Sequence, residues 1–434
     1  MSASTDIKSG GLVSHTIKIN GDSIPDTVDV KAIEITSGIN KIPSARISII
    51  DGDPSEQNFE WSSSSNFIPG NTIEISAGYD SVNNLIFKGI ITKQNIKVDE
   101  TLGAMLEVVC RDESVKMAVG RNTKTFSQQK DSAIMTSIIG NYSGLSADVT
   151  ATETTWPEQV QYYTSDWDFI LSRAETNGMI VTALNNQVSV FPPNKNTASV
   201  LEIEYGQNLI EFDADLNSLN QYGTVEASSW DFATQKVVNG KATSSLSGPG
   251  NLSTKKLSEV VGLQEYELQT SASLGTSDLT NWSKAEIVKS EYAKIQGQVK
   301  FQGSSKVAPG RYITLSGLGD RFNGDHLLSE IVHVIQNGNW ITQASFGMSS
   351  NWFTQESEVM APSAAGLLPG VQGLYNGTVK KIYEDPNNQY RILVDVPMFN
   401  EGAVWARLSN FYSTSGAGAF FLPEKGDEVV LGFL

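Results

Sequence analysis

The sequence predicts a mainly β protein with a small α insertion, and three observations lead there. Short runs alternate polar and apolar residues with a period of two, as half-buried strands do. Turn residues punctuate those runs at short intervals. Only two segments break the pattern with a helical period, and they lie close together. The length of 434 residues is too great for one typical core and admits two or three domains.

The first 110 or so residues read as strands. Thr16-Ile17-Lys18-Ile19, Arg46-Ile47-Ser48-Ile49 and Thr72-Ile73-Glu74-Ile75 each put β-branched residues on one face. Asn20-Gly21, Asp51-Gly52-Asp53-Pro54 and Pro69-Gly70 turn the chain between them. Strands this short and closely spaced predict a barrel or sandwich. Asp131 to Ile139 is a short helix candidate that stops at Gly140. A stronger helix starts at Ser165, which with Asp168 fits a capping box. Trp167, Ile170, Leu171 and Ala174 then form one apolar stripe, and Asn177-Gly178 supplies the stop. Strand patterns resume at Gln187 and are expected to continue to about residue 350. Segment 239–258, rich in Gly, Ser, Thr, Asn and Lys, reads as an exposed loop, and 354–370 as a linker. From residue 371 the chain is strand-like again, and Trp405 is expected to anchor a small barrel core.

Bulk properties exclude several functions. Lys+Arg 31 against Asp+Glu 48 leaves a formal net charge of −17, which repels polyanions, so nucleic acid and anionic membrane surfaces are poor partners. The single cysteine, Cys110, has no second thiol for a disulfide or thiolate zinc site and reads as a small buried residue. Met1 to Gly10 is polar and lacks the apolar stretch of a signal peptide. No apolar run approaches the ~20 residues of a membrane span. The chain is therefore expected to be made in the cytoplasm and to leave the cell, if at all, by another route than general secretion.

The most specific motifs lie near the C-terminal end. Arg391-Ile392-Leu393-Val394-Asp395-Val396-Pro397 is followed by Trp405-Ala406-Arg407, then Gly416-Ala417-Gly418, then Phe421-Leu422-Pro423 and Gly426-Asp427-Glu428-Val429-Val430-Leu431. As a set these resemble the OB-fold of VgrG-type spike and baseplate hub proteins of contractile injection systems: type VI secretion devices, extracellular injection particles and contractile phage tails. Tyr163 to Ile170 resembles the hub's inserted helix, and Phe322 to His326 through Trp340 to Phe353 its last strands. The resemblance implies a trimer of chains with two hub β-barrels each plus a C-terminal OB-fold. It implies barrel 1 at 1–120, an α+β insertion at 121–200 with a helix near 166–177, barrel 2 at 201–353, and the OB-fold at 371–434. The duplicated Pro-Gly before a strand, at Pro69-Gly70 and Pro309-Gly310, is the local sign of two related barrels.

The implied function is structural: the hub and spike base that joins a sixfold inner tube to a threefold puncturing spike and delivers effectors on contraction. The implied partners are two further copies of the chain (a homotrimer), the inner tube protein, other baseplate proteins, a PAAR-type spike tip, effector cargo and, on firing, a target membrane. The implied location is the baseplate of a phage tail-like particle, released or secreted. In this family more barrel strands and a β-helical spike follow the Gly-Asp-Glu strand, so a longer natural protein is expected. Two other readings are an enzyme-bearing spike, with a toxin or lysin domain beyond residue 434, and a glycan- or oligonucleotide-binding OB module.

No catalytic, cofactor or metal residues are assigned, and no cofactor is expected. The three histidines, His15, His326 and His333, lack the spacing of a helical zinc pair. Asp51/Asp53 and Asp166/Asp168 fit turn and cap roles; Asp213/Asp215 falls in what reads as an irregular connection. Gly416-Ala417-Gly418 has no following helix to cradle phosphate. Asn141-Tyr142-Ser143 is a triplet expected by chance in so Asn- and Ser-rich a chain.

Overall fold

The computed structural model describes residues 11–100, 103–231, 233–245, 248–263, 265–356, 373–399 and 403–433. The chain divides into two compact units, Met1–Val359 and Met360–Leu434. Most of the linker expected at 354–370 lies outside the described residues; Phe353–Gln355 forms a short 3-10 turn before it.

A thirteen-stranded sheet dominates the first unit. Its first half holds Val13–Ile19, the short edge strand Asp22–Ser23, Val30–Gly38, Ser44–Ile50, Thr72–Tyr79, Val82–Asp99 and Gly103–Arg111. Its second half holds Ser199–Glu204, Leu209–Leu216, Ile295–Gln302, Tyr312–Ser316, Gly324–Gln336 and Asn339–Phe346. The period-two runs become strands because alternate residues have a core to enter. Ile17 faces Ile75, Ile33 faces Ile47 and Ile49 faces Leu106, all buried. Each such side chain contributes roughly 1.5–3 kcal/mol by leaving water. Gly324–Gln336 is the bridge between halves, since it pairs antiparallel with Val30–Gly38. Its Leu328 and Ile331 pack in the second core, whereas Ile335 packs in the first.

Two lobes are inserted. The first contains helices Asp131–Gly140 and Asp166–Thr176 and a small sheet of Ile180–Leu184, Gln187–Phe191 and Ser146–Val149. The second helix begins with one half of the expected capping box: the Ser165 hydroxyl accepts the amide of Asp168 at 3.1 Å, but the Asp168 carboxylate does not return a bond to the Ser165 amide. Trp167, Ile170, Leu171 and Ala174 are all buried, and the helix ends where Gly178 N–H donates to the Glu175 carbonyl at 2.9 Å.

The second lobe corrects two expectations. Segment 239–258 is not one exposed loop: strand Lys236–Thr243 enters it, and helix Thr254–Ser258 buries Thr254, Leu257 and Ser258. The strands expected throughout 187–350 are interrupted by a seventeen-residue helix, Thr276–Tyr292. This helix buries Ser283, Glu286, Lys289, Ser290 and Glu291 as well as Leu279, Ala285 and Ile287, so no apolar stripe marks it. The polar groups are satisfied inside: Ser283 donates to the Gly240 carbonyl at 3.0 Å, Ser290 to that of Asn220 at 2.8 Å, and Lys289 pairs with Glu175.

In the second unit, Ala403–Ala406, Ile392–Asp395, Leu374–Lys381 and Glu428–Gly432 pair in that order as a four-stranded antiparallel sheet. Val379, Ile392, Val394, Val396 and Leu431 form its core. Trp405 does not anchor that core. It is half-buried, because alternation sends its neighbours Val404 and Ala406 inward and Trp405 to the other face.

Candidate assembly surfaces

The two halves of the large sheet share one set of backbone irregularities. In Ile68-Pro69-Gly70-Asn71 the Asn71 amide donates to the Ile68 carbonyl at 3.1 Å; in Ala308-Pro309-Gly310-Arg311 the Arg311 amide donates to that of Ala308 at 3.2 Å. The glycines have φ of +104° and +80°, as the third position of a type II turn requires. Both turns dock alike. Gly70 N–H donates to the Ile91 carbonyl and Gly310 N–H to that of Leu328, each at 2.8 Å. Ile91 and Leu328 return the bond to Asn71 and Arg311 at 2.9 and 2.8 Å.

A β-bulge follows each docking residue. It lies between Ile91 and Lys93 opposite Cys110 and Val109, and between Leu328 and Glu330 opposite Phe346 and Ser345. A further bulge recurs between Val30 and Ala32 opposite Ile49 and Ser48, and between Leu209 and Glu211 opposite Phe301 and Lys300. Bulges are costly interruptions of a ladder and are kept where they set strand direction. One turn and two bulges repeated in matching places therefore define a duplicated unit, residue by residue. The sequence shows the turn alone, because the facing side chains differ: Cys110 stands where the other half has Phe346, and Ala45 where it has Gly297.

The titratable residues have structural surroundings. Burial pushes the Cys110 thiol up to about 12, so it stays protonated and unreactive. His326 and His333 sit on the bridging strand, and burial pushes each down to about 4. Asp51 accepts the Gly52, Trp61 and Ser62 amides at 3.0, 3.0 and 2.8 Å, and Asp53 accepts the Ser55 amide at 2.7 Å. Asp166 is held by Asn122, Tyr142 and Gln161 at 2.9, 2.7 and 2.7 Å. Asp213 and Asp215 do not lie in an irregular connection; both project from the strand Leu209–Leu216. Among the described residues no group of three or more His, Cys, Asp or Glu is placed to hold a metal ion, and no helix is long and apolar enough to cross a membrane.

The second unit has its own ordering device. Asp385 accepts the amides of Asn387, Gln389 and Arg391 at 3.1, 2.8 and 3.2 Å, and the Arg391 guanidinium at 2.7 Å. The Arg391 bond, ahead of the amides, holds the carboxyl well below the usual range. Gly416-Ala417-Gly418 forms part of a hairpin between Tyr412–Thr414 and Ala417–Ala419, with no helix behind it.

These features agree with what the chain resembles. The 43 kDa tail protein of prophage MuSo2 from Shewanella oneidensis superposes with a TM-score of 0.57 at 10% identity, covering 78% of this chain and 99% of that one. A tail protein from Neisseria meningitidis MC58 does so with the same TM-score and identity, over 79% and 98%. At such identity the likeness is one of fold. An E. coli type VI secretion component aligns over 96% of both chains at 12% identity, with a TM-score of 0.49. No curated protein matches the chain. Residues 375–434 match the family model for the type VI secretion system/phage-baseplate injector OB domain, as the motifs around Arg391, Trp405 and Gly426 led us to expect. Residues 9–337, well over half of the sequence, match the model for the Alg8 N-terminal domain, and the chain belongs to that family.

Proposed function

We propose that this chain is the hub and spike base of a contractile injection machine, acting as a homotrimer. The duplicated half-sheet is the observation that carries the reading. Two equivalent halves per chain turn three copies into six near-equivalent positions, which a sixfold inner tube needs to meet a threefold spike. The injector OB match at 375–434 supports placing the spike-bearing end there. On this reading the sheath contracts, the tube advances, and the trimer leads it and its effector cargo through a target envelope. Function then resides in rigidity and symmetry rather than in bond chemistry. The surroundings of Cys110, Asp51, Asp166, His326 and His333 favour this over a hydrolytic spike built on them: Asp51 and His326 hold backbone, Asp166 and His333 are bonded to neighbouring side chains, and Cys110 is a buried thiol.

Analytical ultracentrifugation of the full chain tests the proposal. A threefold species that persists on dilution to low micromolar concentration is the expected result. A stable monomer at every concentration, with no threefold form in assembled particles, would count decisively against it.

A further inference from the structure

The duplication leaves one pairing made and its counterpart unmade. Gly324–Gln336 pairs with Asn339–Phe346 on one side and with Val30–Gly38 on the other. Its counterpart, Val82–Asp99, pairs with Gly103–Arg111 over Ile90–Asp99, but beyond Ile91, which bonds Gly70 and Asn71, its other side has no partner strand among the described residues. Leu209–Leu216, the counterpart of Val30–Gly38, pairs among the described residues only with Ile295–Gln302 and ends the sheet. One half thus lacks a neighbour strand that the other half displays.

Resting on the hub reading, we propose that these two open edges are the two sides of one head-to-tail contact between copies of the chain. Lys93–Asp99 of one copy pairs antiparallel with Glu211–Asn217 of the next. The matched bulges set the register. Within the chain His333 faces Ile35, Val334 faces Glu34 and Ile335 faces Ile33. Counting from Leu328 to Ile91 and from Val30 to Leu209 places Ile96 opposite Ala214, Lys97 opposite Asp213, and Val98 opposite Phe212.

The exposure of the edge fits that register. Ile96 and Val98 are 47% and 72% exposed, whereas His333 and Ile335, at the equivalent places, are each 5% exposed because Val30–Gly38 covers them. An apolar edge left bare is an aggregation hazard, and a second copy removes it. The two edges also offer one pair of opposite charges, Lys97 and Asp213. Lys93 and Lys97 lie on one edge and Asp213 and Asp215 on the other, none of them in an ion pair among the described residues. In the proposed register Lys97 meets Asp213, while Asp99 meets Glu211, whose carboxylate Lys300 already pairs at 2.8 Å; the matched bulges, not charge, select the register. Such a contact is heterologous, and it closes into a ring at the copy number of the hub.

The test uses the full chain. Ile96→Cys combined with Ala214→Cys should give a disulfide-linked ladder ending at the closed ring on a non-reducing gel, with buried Cys110 silent. Ile96→Cys with Phe212→Cys, two residues out of register, should cross-link poorly. Lys97→Asp and Asp213→Lys should each weaken self-association by about tenfold or more, and the double exchange should restore it to within about threefold. If the chain assembles but the out-of-register pair links better, or the charge exchanges leave association unchanged, the edge pairing is wrong and the hub reading stands. If the unsubstituted chain is monomeric throughout, both fail.

Discussion

His333 illustrates how much one side chain owes to its neighbours. Its Nδ1 lies 2.8 Å from the Thr342 hydroxyl, and Trp340 Nε1 donates to the same nitrogen at 3.4 Å, so that nitrogen serves as an acceptor and the ring is neutral. Burial holds both His333 and His326 at about 4, against about 6.5 for an unfolded histidine. Between those values the unfolded chain binds protons that the folded chain refuses. Stability is therefore fully present above about pH 6.5 and declines as pH falls toward 4, by about 1.4 kcal/mol per pH unit for each histidine. Replacing His333 with Gln should flatten this acid limb in a series of thermal melts; an unchanged slope would show that His333 does not titrate as described. Asp385 behaves in the opposite chemical sense with the same consequence. Its carboxyl is held low by Arg391, so its contribution is present at neutral pH and lost in strong acid. Histidine scarcity was legible in the sequence. The burial was not, because a bulge at Ser329 lets residues seven apart on one strand both face inward.

The turns that open the two equivalent strands are the elements most nearly identical in both halves, yet they differ in surroundings. A Cβ at Gly70 would meet no atom within 4 Å, whereas one at Gly310 would lie 2.8 Å from Phe191. Gly70→Ala should therefore cost only the strain of a positive φ, about 1–3 kcal/mol. Gly310→Ala should cost more, since crowding adds to the same strain. Urea unfolding of the two variants side by side checks this, and equal losses would mean that the ring of Phe191 moves aside freely. The strands and the capped helix at Asp166 could be read from period and capping because each has one apolar side. The helix Thr276–Tyr292 could not, for packing surrounds it and its buried polar residues find partners distant in sequence. Trp405 failed as an anchor for a related reason: size marks a residue as suited to a core, but strand parity decides which way it points.

The whole molecule is acidic, and assembly multiplies that charge. Each chain carries −17, so the proposed trimer would concentrate three times that value in one particle. Self-repulsion of this kind is screened by salt, with a Debye length of about 10 Å at 0.1 M. Self-association should therefore strengthen on going from very low to moderate ionic strength, as followed by light scattering. Association that improves steadily as salt is removed would place the dominant electrostatic contribution in local contacts such as that proposed between Lys97 and Asp213. The duplication itself was only hinted at by Pro69-Gly70 and Pro309-Gly310, because the repeated feature is backbone geometry and the side chains filling the two cores differ.

By itself the sequence determined the β class, the capped helix at Asp166 and the injector-type motifs between Arg391 and Leu431. Period, capping and turn chemistry act over a few residues, and a linear pattern can carry them. Tertiary structure alone decided which strands pair, where the bulges fall and which edges stay open. Those outcomes depend on contacts between segments hundreds of residues apart, such as Val30–Gly38 with Gly324–Gln336, and no local pattern encodes them.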